Sequence, residues 1–431
     1  MNIYQNHPRE EWQQIIERPV FDTSVLQQKV RTILNGVKKS GDKAIKRYTK
    51  QFDGVTLNDF FVSVNEMDEA VALLPVDLKN AIQQAAKNIK SFHAKQMFQH
   101  EVIETMQGIQ CWRKNVAIEK VGLYIPGGTA PLFSTILMLG IPAQIAGCRE
   151  IMLCSPPDKD GKLHPAILFA ARLVGVTRVF KIGGVQAIAA MTYGTETVPK
   201  VYKIFGPGNQ YVTLAKQLIQ QDGVAIDMPA GPSEVCVLAD ETANPAFVAA
   251  DLLSQAEHGT DSQVVLISTS LSIVETVIEE IKDQLNKIPR KQIAIKALEN
   301  SKAVLVNDMN EAIDLVNEYA PEHLIISCKE EDAVAEKIIN AGSIFLGHYS
   351  PESVGDYASG TNHTLPTNGF AKIYSGVSID SFVKKITYQK LSWQGLQNIS
   401  NIVIQMAEAE GLHAHAEAVR VRMKPSISKG E

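Results

Sequence analysis

Apolar and polar positions divide the chain into stretches of different period. Between 21 and 100 the apolar residues recur at helical spacing among many Lys, Gln and Ala, which predicts helices. From about 116 short apolar runs alternate with helical stretches. VGLYI, EIMLCS, RVFKIGG and KVYKIFG read as strands, and helices are expected to begin near Leu132, His164, Val185 and Asn209. This is the βαβ rhythm of a parallel sheet covered on both faces. The rhythm resumes after 234 with EVCVLAD, QVVLIS, AVLVND, HLIIS and SIFLG. Two α/β runs therefore predict two sheet domains, joined through the Pro- and Gly-rich AIDMPAGPSE. From Val377 the pattern becomes helical with one break at Gly411, no strands and a limited core. Such a tail packs on another domain or on a partner subunit, and residues 1–20 read as a similar arm.

Residues 121–148 carry no charge. Their glycines and prolines leave apolar pieces too short to cross a bilayer, so a buried strand, loop and helix is expected, with no membrane role. The 431 residues allow about three domains. With 45% hydrophobic and 21% charged residues, the chain has a globular profile. A net charge of −5 leaves no basic surplus for phosphates, which argues against nucleic acid. The five cysteines are scattered and form no CxxC pair, which fits a reducing cytosol. The polar, acidic N-terminus does not read as a signal peptide, so none is expected.

Candidate chemistry concentrates late in the chain. NPAFVAADLLSQAEH reads as a helix with Asn244 as cap, Pro245 at its first position and Gly259 as its stop. Gln255 and His258, three apart, then share a face at the last turn. Alone, the pair reads more readily as a solvated helix end than as metal ligands. However, His258, His323, His348, His363, His413 and His415 all lie from 258 onward. Asp356 sits in VGDYASGTNH, expected as a turn after a strand, and loops at the carboxyl ends of parallel strands bind ligands. Gln255, His258, Asp356 and a tail histidine would make a mixed N/O shell for zinc or manganese. Glu322 and His323 follow Ala320-Pro321, where Pro321 disfavours helix and places them in a loop or strand start. An adjacent acid and imidazole can divide proton transfers; an exposed Glu322 beside a strand-starting His323 is an equally good reading. The loops Ile125–Gly128, Ile182–Gly184 and Gly206–Asn209 follow strands and precede helices, where phosphate binds. None matches GxGxxG, and ordinary turns explain them as well. GxSxG, Walker A, HExxH and EF-hand motifs are absent.

Seven segments, in order, resemble the histidinol dehydrogenase family: GLYIPGGTAPLFSTILML, GPGNQYVTLAKQ, AIDMPAGPSEV, DLLSQAEHGTDSQV, YAPEHL, SVGDYASGTNHTLPT and AEAEGLHAHAEAV. The resemblance runs almost end to end. It implies two incomplete Rossmann-like parallel-sheet domains with small N- and C-terminal helical arms in an intertwined homodimer. The expected limits are 1–20 for the arm, 21–120 plus 234–376 for a discontinuous domain with metal and catalytic residues, 121–233 for the NAD domain, and 377–431 for a dimerisation tail. The implied activity is oxidation of L-histidinol to L-histidine through L-histidinaldehyde with two NAD⁺, the last step of histidine biosynthesis, in the cytoplasm. By resemblance, Gln255, His258, Asp356 and the second subunit's copy of His415 bind one zinc per subunit. Glu322 and His323 match the catalytic pair. Ser233, His363 and Glu410 match substrate contacts, joined by His323 and the metal ligands Gln255, His258, Asp356 and His415. Tyr124, Gln186 and Asn209 match NAD contacts, and His413 is a neighbour only. The alternatives are a related zinc/NAD alcohol dehydrogenase acting on another substrate such as a sulfonated diol, a zinc hydrolase using Glu322, and a non-catalytic metal-binding oligomer.

Overall fold

The computed structural model describes residues 1–18, 24–97, 100–127 and 131–424. The chain divides into two compact units, Met1–Gln96 with Ile118–Phe382, and Met97–Ala117 with Val383–Glu431.

The first unit holds two parallel sheets. In the six-stranded one the order is Asn2–Gln5, Lys302–Leu305, Gln263–Ser268, Glu234–Ala239, His323–Ser327 and Ser343–Leu346. In the five-stranded one it is Arg178–Lys181, Glu150–Ser155, Lys120–Tyr124, Lys203–Phe205 and Ala225–Ile226. Every residue of Glu234–Ala239, Gln263–Ser268 and His323–Ser327 is buried, as expected for strands covered by helices on both faces. The nine strands read from the apolar runs are all present. The N-terminal arm differs from expectation: Asn2–Gln5 is a strand that extends the six-stranded sheet in register with Lys302–Leu305. It is mostly exposed and short, so it shows no apolar alternation.

The charge-free stretch forms the strand Lys120–Tyr124 and the helix Phe133–Ala146. Ser134 to Ala143 are buried without interruption, so this helix is apolar all round rather than striped. Among the described residues no helix is long and apolar enough to cross a membrane.

The helical region before the first sheet corrects the expected grouping of 21–120 with 234–376. Val30, Ile33, Leu34 and Ile45 pack in one core with Tyr124, Met152 and Phe180, while Ile82 and Ile89 pack with Val121 and Leu137. These helices therefore cover the five-stranded sheet. The first unit also reaches past Val377, because Phe382 stacks on Phe205 with ring centroids 4.1 Å apart.

The second unit is an antiparallel sheet in the order Val383–Leu391, Ile109–Ala117, Val102–Met106, with helices Trp393–Ala409 and His413–Met423. The helices and the break at Gly411 (φ 74°) match the sequence. The strand Val383–Leu391 was not expected in the tail. It is exposed along most of its length, so its pattern carries little apolar signal.

Candidate active site

The site is built at the amino ends of the six-stranded sheet. Helix Met309–Tyr319 stops at Ala320, whose φ of 51° and ψ of 66° place it in the left-handed region. Pro321 follows, and the chain enters the strand at His323, leaving Glu322 just before it. Both side chains are buried. The first residue of the neighbouring strand holds them by its backbone. Glu234 N–H donates to Glu322 Oε2 at 2.9 Å, and the Glu234 carbonyl accepts from His323 Nδ1 at 3.1 Å. Since the carbonyl can only accept, Nδ1 carries a proton, and Nε2 is the ring nitrogen that faces Asp356.

Around that imidazole stand three carboxylates. His323 Nε2 lies 3.5 Å from Asp356 Oδ1, and Nδ1 lies 3.7 Å from Glu322 Oε2 and from Glu352 Oε1. Burial pushes Glu322 up to about 8. Burial also raises Glu352. Burial opposes charge on His323, yet Glu352, Glu322 and Asp356 together raise it well above the ordinary imidazole value. Asp356 is held low despite burial by His323, His363 and His258.

Asp356 lies on the short helix Glu352–Tyr357, not in the expected turn. That helix packs on Pro245–Ala256, which carries Gln255. Asn244 caps the latter helix through Ala246 N, and Pro245 is its first residue, as expected. The helix ends at Ala256 without a left-handed glycine, so Gly259 does not stop it, and His258 follows in an exposed turn. His363 bridges the two halves of the unit: Nδ1 donates to the Asp356 carbonyl at 2.8 Å, and Nε2 is 3.1 Å from Thr135 Oγ1. Ser233 is half-buried directly before the strand that carries Glu234.

Several buried polar atoms here have no hydrogen-bond partner: both amide atoms of Gln255, His323 Nε2, Glu352 Oε2 and Asp356 Oδ1. His323, Glu352 and Asp356 offer ligand atoms within 4.8 Å of one another. An isolated buried charge is costly, so such a group of orphaned N and O atoms fits a bound cation of the zinc or manganese kind.

At the carboxyl ends of the five-stranded sheet lies a cavity of about 1290 Å³, lined by Asp53, Tyr124, Gly127, Gln186, Asn209 and Tyr211 among others. Gln186 Nε2 approaches Asp53 Oδ2 at 3.4 Å, and burial lifts Asp53 to about 6. Asn209 caps the helix Gln210–Ile219 through Tyr211 N and Val212 N. Gly206 has φ 121°, and a Cβ there would run into the Tyr124 carbonyl. Two of the loop N–H groups already have partners, Gly184 N on Tyr124 Oη at 3.0 Å and Gly206 N on Asp227 Oδ2 at 2.8 Å. Gly128, at the end of the first glycine loop, lies outside the described residues.

Residues 16–423 match the family model described as histidinol dehydrogenase. The chain is 60% identical to histidinol dehydrogenase of Bacteroides thetaiotaomicron over 98% of this chain and 99% of that one. It is 59% identical to the Bacteroides fragilis enzyme with the same coverage. The crystal structure of histidinol dehydrogenase from Elizabethkingia anophelis superposes with a TM-score of 0.96 at 55% identity, covering 98% of each chain. The chain belongs to the histidinol dehydrogenase family. It is an oxidoreductase with the α/β fold of that structure.

Within this histidinol dehydrogenase-family chain, Asp356, Glu322, His323 and His363 gather at the amino-end cluster, with His258 near Asp356 and Gln255 on the helix packed against Glu352–Tyr357. Tyr124, Gln186 and Asn209 gather at the cavity. Glu410 and His415 belong to the second unit, where both are exposed, as is His413. Glu352 was not found from the sequence. Its signal was available: it stands four residues before Asp356, the spacing that puts two carboxylates on one helix face.

Proposed function

We propose that this protein oxidises L-histidinol to L-histidine through L-histidinaldehyde, passing two hydrides to NAD⁺, as the closing step of histidine biosynthesis. The observation that carries this reading is the cluster of buried, unpartnered donor atoms around His323 in a member of this family. Gln255, His258 and Asp356 would hold zinc, with His415 supplied by a second protomer of a homodimer that shares its active sites. Bound there, zinc would orient the imidazole and amine of the substrate, and its charge would offset the carboxylates that raise His323.

His323 Nε2 takes the proton of the substrate alcohol as hydride departs, and the Glu234 carbonyl steadies the imidazolium through Nδ1–H. Glu322, raised by burial, then takes a proton from the water that adds to the aldehyde. The second hydride transfer yields the acid. Ser233, His363 and Glu410 contact substrate, together with His323 and the metal ligands. Burial of the pair keeps bulk water from a reactive aldehyde. NAD⁺ accepts the hydrides when bound in the cavity, against Tyr124, Gln186 and Asn209; the volume exceeds the roughly 300–1,000 Å³ of ordinary small-ligand pockets. Exposed Trp393, Met406 and Leu412 on the second unit support a dimer interface. Five unpaired cysteines support a cytoplasmic location.

The test is NADH formation on zinc-replete protein with histidinol, compared with a sulfonated diol and with hydrolysis in the absence of NAD⁺. Two NADH per histidine formed is expected. Turnover of the diol alone, or turnover without NAD⁺, would replace the reading.

A further inference from the structure

Glu322 and His323 are both tied to the main chain of Glu234, but nothing in the proposed chemistry uses the Glu234 side chain. That carboxylate is almost wholly buried and is gripped from outside the sheet. Arg18 Nε donates to Oε1 at 2.6 Å and Arg18 Nη2 to Oε2 at 2.9 Å, a two-pronged pair, and Asn368 N donates to Oε1 at 2.9 Å. Arg18 also donates to the Tyr319 carbonyl at 2.7 Å and stacks over the Tyr319 ring at 4.1 Å. Tyr319 is the last residue of the helix that leads into Glu322. The preceding residue extends the clasp: the Glu17 carbonyl accepts from Lys302 Nζ at 2.6 Å and Gln263 Nε2 at 3.2 Å. One short segment thus crosses the amino ends of three strands and the end of a helix. Burying an ion pair adds little net stability, so its place beside the pair calls for another account.

We propose that Arg18 is a positioning residue for the catalytic pair, acting through Glu234, whose backbone N–H and C=O fix Glu322 and His323. The inference rests on the proposed roles of that pair. Arg18 sets where the Glu234 peptide groups lie by holding the side chain from one side and the Tyr319 carbonyl from the other. A shift of that peptide moves both reacting groups together, and a misplacement of about 1 Å costs roughly 100-fold in rate.

The experiment uses full-length, zinc-replete enzyme carrying Arg18→Met, Arg18→Lys, Glu234→Gln, His323→Asn, and Arg18→Met combined with His323→Asn. Steady-state kinetics with histidinol at saturating NAD⁺ are read beside thermal unfolding. Arg18→Met is expected to lower kcat by roughly 10- to 100-fold with KM within about threefold of the parent. Arg18→Lys should recover part of the loss, and Glu234→Gln should lose roughly tenfold. Added to His323→Asn, Arg18→Met should cost little further, because both act on one element. A folded Arg18→Met or Glu234→Gln protein with parental kcat overturns the inference, as does full additivity in the double variant. If Arg18→Met does not fold, Glu234→Gln decides. Parental kcat in His323→Asn sinks the role of the pair, and this inference with it; parental kcat in Arg18→Met beside a slow His323→Asn sinks this inference alone.

Discussion

The two parallel sheets serve the proposed reaction from opposite ends. In the five-stranded sheet Tyr124 closes one strand, and Gln186 and Asn209 lie just after two others, so the cavity sits at the carboxyl ends, where open α/β sheets ordinarily bind ligands. In the six-stranded sheet Glu234 and His323 open their strands, so the charged cluster sits at the amino ends. The difference teaches what each end supplies. Carboxyl ends offer loops and helix starts with room for a large ligand. Amino ends here offer a row of fixed peptide groups, and the Glu234 N–H and C=O use it to seat an acid and a base side by side. The expectation that Asp356 would mark a carboxyl-end loop fails for this reason: the chain leaves Leu346 and returns through the helix Glu352–Tyr357 to the other end of the sheet.

The largest effect that would sharpen this contrast comes from the pair itself. His323→Asn should lower kcat by roughly 100- to 10,000-fold, and Glu322→Gln should slow histidinaldehyde oxidation more than histidinol oxidation, with NAD⁺ binding by titration calorimetry unchanged. Full rates in both variants would break the assignment of chemistry to the amino ends. Next, Asp356→Asn should reduce bound zinc, measured by metal analysis, by about tenfold or more at limiting metal while leaving NAD⁺ affinity intact. Chelator treatment of the parent should match it, and zinc should restore turnover. On the other sheet, Gln186→Ala should raise KM for NAD⁺ by about fivefold with kcat and zinc content unchanged, which corresponds to about 1 kcal/mol. A fall in zinc content instead would merge the two regions into one. The smallest effect is expected from Asn209→Ala, which removes the cap on Tyr211 N and Val212 N and should cost about 1 kcal/mol in denaturant unfolding.

Much of this architecture was legible. Strands such as Glu234–Ala239 and Gln263–Ser268 are buried on both faces and therefore read as unbroken apolar runs. Val102–Met106 and Val383–Leu391 were not, because their side chains are largely exposed on both faces and leave no period to find. Packing partners were invisible for a related reason: the helix Val76–Ala94 has a clear apolar face, but nothing local says which sheet it covers. At the site, Glu322 and His323 stood out as an adjacent acid and imidazole. Arg18 and Glu234 did not, since their pairing spans 216 positions and depends wholly on the folded path.

One further consequence concerns alignment. The strand that begins at His323 is held in phase by its two neighbours and is entered through Ala320, the alanine bent backwards just ahead of it. Side chains on a strand alternate between faces, so a slip of a single position would send the imidazole away and bring its neighbour in. Ala320 thus works as a stop-pin whose tolerance is narrow: glycine fits the bend freely, whereas a β-branched valine would be strained there.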